Sequence, residues 1–203
     1  MPRYDAVGFD LLTALLDTLP LWRSAAGDDD LGTKWHTANQ RLLRGKPYRA
    51  FDDLVHESAK EVGLGHAHAT TLLSRWGEAQ PWPDTRRALI ALGSTQRFIV
   101  TNCSQKLGER AAKQAGEFAF VMTAEQAGAY KPDPRPYRAA LAAIGMDAKR
   151  VLFVAGSAHD VGGAKRAGMD VYWANRLGAP LPDDAAPLVH APDLGKLAAL
   201  LDG

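Results

Sequence analysis

Hydrophobic positions follow two different rhythms along this chain. Residues 4–9 form a short, almost continuously apolar run that ends at Asp10 and reads as a buried strand. The apolar stretch LLTALLDTLPLW follows and is expected to stop at Pro20. From Asp30 to about Trp76 the spacing is helical, with Trp35, Leu42 and Leu43 on one face and Leu54, Val55 and Val62 on another. The run GDDD before Leu31 marks a helix start, because carboxylates favour the positive end of a helix.

The rhythm changes at QPWPDT, residues 80–85, where two prolines predict a hinge. Beyond it, apolar runs at 97–101, 118–122, 151–155 and 171–173 predict strands. Helical segments are expected at about 105–115, 134–144, 159–167 and 194–201, and GAPLPDDAAPL, 178–188, reads as a surface loop. Such alternation predicts an α/β fold, a Rossmann-like, mainly parallel sheet with helices on both faces. The chain would leave this core after its first strand, build a helical unit and return. The expected division is a core of 1–13 and 81–203 and an inserted helical cap of 14–80.

Composition narrows the function. A formal net charge of +1 over 203 residues, with basic and acidic residues interleaved, offers no field for nucleic acid or an anionic membrane. Cys103 is the only cysteine, so no internal disulfide is available. The early apolar stretch is interrupted by Asp10 and Thr13 and is too short to span a bilayer, which makes a cytoplasmic location the expectation.

Ligands of doubly wound sheets bind beyond the carboxyl ends of the strands. Asp10, Thr101 and Asn102, and Asp160 all fall at or just after predicted strand ends, and Lys131 follows a loop in AYKPDPRPY. A carboxylate beside an ammonium forms a nucleophile site: Lys131 would keep Asp10 ionised, and Thr101 and Asn102 would donate to an oxyanion or leaving group. Asp160 would orient Lys131 or activate water. Cys103 has no convincing histidine partner and reads as a small buried residue. His66 and His68 read as a solvated loop, having no third metal ligand. Trp22, Trp35, Trp76 and Trp82 are expected to pack the cap and hinge.

The segments GFD with Asp10, IVTN, YKPDPRPY and VLFVAGSAHD resemble, in order, the motifs of the haloacid dehalogenase superfamily, and most closely those of its 2-haloacid dehalogenases. VYWANRLG is similar to that branch as well. The resemblance implies Asp10 as nucleophile, Lys131 as its partner and Asp160 in the water-activating step. Thr101, Asn102 and Tyr137 would line the site, with Leu12, Thr13, His36 and Ser157 as further substrate-contacting positions. It also implies a small organic acid as substrate, no metal and no other cofactor. A homodimer is compatible with it.

Departures from the family keep alternatives open. Leu12 replaces both the second aspartate of the phosphatases and the tyrosine of the dehalogenases, and Ala155 replaces the metal-binding acid. Ala14 stands for a threonine, although Thr13 is adjacent. Ala155 and Ser157 stand for a serine and an asparagine near the reactive water. His36 aligns with the cap arginine that grips a substrate carboxylate, leaving Arg41, Arg44 or Arg49 to supply the charge. A Mg²⁺-dependent small-molecule phosphatase and a non-catalytic ligand-binding protein are the competing readings.

Overall fold

A computed structural model describes residues 3–44, 47–181 and 186–201. The chain starts with β1 (Ala6–Phe9), passes through β2 (Leu16–Asp17), and enters α1 (Leu19–Ala26), α2 (Asp29–Leu42), α3 (Phe51–Glu61) and α4 (His66–Ser74). It returns through β3 (Gln80–Pro81) and α5 (Thr85–Ala91). The remainder is β4 (Gln96–Thr101), α6 (Gln105–Ala115), β5 (Val121–Thr123), α7 (Ala124–Ala127), α8 (Pro134–Ile144), β6 (Val151–Ala155), α9 (Ala158–Arg166), β7 (Asp170–Ala174) and β8 (Val189–Ala191).

Six strands form one sheet in the order β5-β4-β1-β6-β7-β8, with every pairing parallel. β1 is central and buried throughout, so it has no polar face, as a strand covered on both sides requires. Alternate residues feed two cores. Val7, Phe9, Ile99 and Val154 pack with Leu107 and Ala111 of α6, whereas Ala6, Phe98, Val100 and Phe153 pack with Tyr137 and Leu141 of α8 and Val161 of α9.

Exit from the sheet and return to it lie side by side. β2 and β3 pair antiparallel, Leu16 with Pro81 and Asp17 with Gln80. Between them, α1–α4 close on an aromatic centre in which Trp22 meets Trp35 and Trp76 edge-on at 5.0 and 5.9 Å between ring centroids. Asp28 caps α2, its carboxylate accepting from Leu31 N at 2.7 Å, and Asp29 and Asp30 fill the first turn.

Several expected boundaries move. Pro20 is the second residue of α1 instead of ending the preceding run; in a helix's first turn its missing N–H costs nothing. His66 opens α4 instead of standing in a loop. The strand expected at 118–122 is Val121–Thr123, and the C-terminal helix shrinks to a 3₁₀ turn at Ala198–Leu200. The short edge strand β8 follows the expected loop, of which 182–185 lie outside the described residues.

Candidate active site

Asp10 leaves β1 with its N–H still donating to Val154 O at 2.9 Å, so the sheet fixes its backbone. The following turn folds back onto the carboxylate: Thr13 N and Ala14 N donate to Oδ2 at 3.2 and 3.3 Å. On the other oxygen, Lys131 Nζ donates to Oδ1 at 2.6 Å. The same ammonium reaches Asp160 Oδ2 at 3.2 Å, and Tyr137 Oη donates to Asp160 Oδ1 at 3.0 Å. All four side chains are buried.

Sequence-distant segments hold this chain of charges in place. Asn102, just beyond β4, clamps the Lys131 peptide from both sides: Lys131 N donates to Oδ1 at 2.7 Å, and Nδ2 donates to Lys131 O at 3.1 Å. Ser157 caps α9 by accepting from Asp160 N at 3.3 Å, which puts Asp160 in the first turn, where the helix dipole favours negative charge. Gly156 closes the loop between them. A Cβ there would sit 2.4 Å from Ala14 N and 2.5 Å from Asp10 Oδ2, so only a residue without one allows this approach.

Burial alone would lower the pKa of Lys131, but the charges of Asp10 and Asp160 outweigh it and hold the ammonium above its ordinary value. Burial raises the Asp160 pKa, Asp10 adds to the rise, and Lys131 and Tyr137 oppose it. Burial and the adjacent Asp160 raise Tyr137 well above the usual phenol range. The result is a buried carboxylate–ammonium–carboxylate relay along the wall of a cavity.

That cavity, of about 270 Å³, is lined by Asp10, Leu12, Thr13, His36, Asn102, Lys131, Ser157 and Asp160, which were expected at the site from the sequence. Thr101 and Tyr137 are not in its lining. The Thr101 hydroxyl donates to Cys103 Sγ at 3.6 Å, and Tyr137 stands behind Asp160. Burial pushes Cys103 up to about 12, consistent with a packing residue.

The family model for haloacid dehalogenase-like hydrolases matches residues 7–168. The chain belongs to that family. This haloacid dehalogenase-like hydrolase is 31% identical to haloacetate dehalogenase H-2 of Moraxella sp. (strain B), over 94% of its own length and 97% of the relative's. It is also 32% identical to phosphatase MT3486 of Mycobacterium tuberculosis (strain CDC 1551 / Oshkosh), over 82% and 76% of the two chains. (S)-2-haloacid dehalogenases recur among its other relatives. Its fold superposes on an L-2-haloacid dehalogenase from Xanthobacter autotrophicus carrying covalently bound chloropropionic acid, with a TM-score of 0.89, 22% identity, and coverage of 98% and 99%.

Other residues of the hydrolase reach the site without having been singled out in the sequence. Gln40, His159 and Asn175 line the cavity with His36. His36 and Gln40 are one helical turn apart on α2, a spacing that could have signalled a shared face. Burial lowers the His36 pKa to about 4, so its imidazole is neutral where the family's arginine would be charged. Of the three arginine candidates, Arg41 pairs with Glu61, Arg49 pairs with Glu57, and Arg44 lines the cavity.

Arg176 acts further out. Its guanidinium donates to Ala14 O at 3.1 Å and to Asp84 Oδ1 at 2.7 Å, while Asp84 Oδ2 accepts from Leu194 N at 2.8 Å. Trp82 Nε1 donates to Thr13 O, and Thr85 Oγ1 to Leu15 O, both at 2.8 Å. The turn that presents N–H groups to Asp10 is thereby tied to the neck of the helical unit and to the loop after β7.

Proposed function

We propose that this hydrolase displaces halide from C2 of a small 2-haloacid through an ester on Asp10, without a metal ion. The observation that carries the reading is the dual fixation of the Asp10 carboxylate, by Lys131 on one oxygen and two backbone N–H groups on the other, at the wall of a cavity. A bond forms between an Asp10 oxygen and C2 as the carbon–halogen bond breaks and halide leaves. Water then attacks the Asp10 carboxyl carbon, and its proton passes to Asp160, whose raised pKa makes it the better base. The acyl C–O bond then breaks, the departing alkoxide takes the proton back from Asp160 to leave as the 2-hydroxy acid, and the Asp10 carboxyl releases its remaining proton to solvent. The covalently bound chloropropionic acid of the Xanthobacter autotrophicus enzyme supports such a route. In this reading α1–α4 form a cap over the nucleophile.

The phosphatase relative raises Mg²⁺-dependent phosphoryl transfer as a second reading. The donor set does not fit the ion. Both carboxylates that would hold it are engaged by the Lys131 ammonium, Asp160 also accepts from Tyr137, and position 155 is alanine. Among the described residues no cluster of three or more His, Cys, Asp or Glu could hold a metal.

The test is halide release from (S)- and (R)-2-chloropropionate with and without a chelator. Release from the S form, indifferent to chelator and reduced at least about 10³-fold in Asp10→Asn, is expected. Chelator-sensitive phosphate release without halide release would favour the second reading.

A further inference from the structure

Beyond the wall of the inner cavity lies a second cavity of about 330 Å³, and the two share Leu43, Arg44, Lys131 and Pro132. Its charges are lopsided. Asp133 is the only acid in its lining among the described residues, and Arg135 pairs with it at 3.1 Å. Arg166 donates to the Pro132 carbonyl at 3.0 Å and Arg44 lines both cavities; neither has a carboxylate partner among the described residues. Both are exposed, so a bound anion would meet charges not already neutralised.

The inner cavity complements this arrangement. Its helical wall offers a neutral imidazole at His36 and an amide at Gln40, with Gln40 Nε2 3.4 Å from His36 Nε2. The positive charge on that side first appears at Arg44, eight residues beyond His36, or roughly 12 Å along a helical path. Lys131 is committed to Asp10 and Asp160. An anionic group several bonds from the reacting carbon would therefore find its counter-charge at the boundary between the cavities.

We infer that the outer cavity is an anion subsite, and that the preferred substrates are 2-halo acids carrying a second, distal carboxylate held by Arg44 and Arg166. This rests on the dehalogenase reading for the reacting end and adds the tail. A neutral tail would leave both guanidinium groups unpaired, whereas a distal carboxylate would accept planar, paired hydrogen bonds from them.

Calorimetric titration with butanedioate, pentanedioate and hexanedioate, each against the monoacid of equal length, tests the subsite without turnover. Halide release from the corresponding 2-bromo acids is measured in parallel. At least one diacid is expected to bind about tenfold more tightly than its monoacid, with the advantage falling to near one in Arg44→Gln and in Arg166→Gln. The 2-bromo diacid of that length should show a matching advantage in KM. Equal affinity for diacids and monoacids, no binding of either, or an advantage untouched by both substitutions would overturn the subsite. Diacid preference in binding, with no halide released from any bromo acid, would instead overturn the dehalogenase reading and leave the subsite standing.

Discussion

Around Asp10 each carboxylate oxygen has a different kind of partner, and this division sets what substitutions should do. Asp10→Asn keeps the volume but loses the charge that Lys131 faces at 2.6 Å, so turnover should vanish while the fold persists. Gly156→Ala drives a methyl into Ala14 N and Asp10 Oδ2; a loss of about 1–3 kcal/mol in denaturant unfolding is expected, with a larger proportional fall in kcat than in KM. His36 gives a pH prediction. Its folded pKa of about 4 lies below the ordinary value of about 6.5, so on acidification the unfolded chain takes up the proton first. Stability should fall as pH drops through that window, by roughly 1–2 kcal/mol from pH 7 to 5, and His36→Gln should remove that increment. Asp10, Lys131 and Asp160 could be read from sequence because motif order and strand ends bring them to one rim. Thr101 shows the limit of such reading, since adjacency to a strand end does not reveal which way a side chain turns, and Tyr137, brought in by the resemblance, stands on α8 behind Asp160.

Between elements, the β2–β3 neck and the loop after β7 meet at the turn that follows Asp10. Arg176 is the common bolt: Arg176→Ala would free Ala14 O and strand Asp84, whose pKa is lowered overall by Arg176 and Leu194 N against the opposing effect of burial. A loss of about 3 kcal/mol in urea unfolding is expected, as for other broken, largely buried pairs. Halide turnover should fall with it, more in kcat than in KM. The strands β1, β4, β6 and β7 were legible as apolar runs because parallel strands buried on both faces carry little else. The neck was not: β2 and β3 have two residues each, too few for any periodicity, and their pairing joins positions more than 60 residues apart, Leu16 with Pro81 and Asp17 with Gln80. β8 escaped notice for the same reason, and α1 because a proline in a first turn looks like a breaker until the turn is located.

At the scale of the molecule, a parallel sheet supplies Asp10, Asn102, Lys131 and Asp160 from separate crossovers, and the helical unit contributes the neutral wall of His36 and Gln40. The division explains why the convergence of Asp10, Lys131 and Asp160 was easier to read than the rest of the cavity wall. The charged trio lies in or beside motifs near strand ends, while the rest of the wall depends on which faces of α2 and the loop after β7 turn towards it. Among the described residues no helix is long and apolar enough to cross a membrane. The central claim is that the Asp10 carboxylate becomes covalently bonded to substrate carbon. Multiple turnovers of 2-chloropropionate in H₂¹⁸O, followed by peptide mass spectrometry, test it most directly. The account predicts ¹⁸O in the peptide containing Asp10, because water attacks the ester at the carboxyl carbon. Halide release with the label only in the 2-hydroxy acid, and none in that peptide, would mean that water attacks the substrate directly and would contradict it.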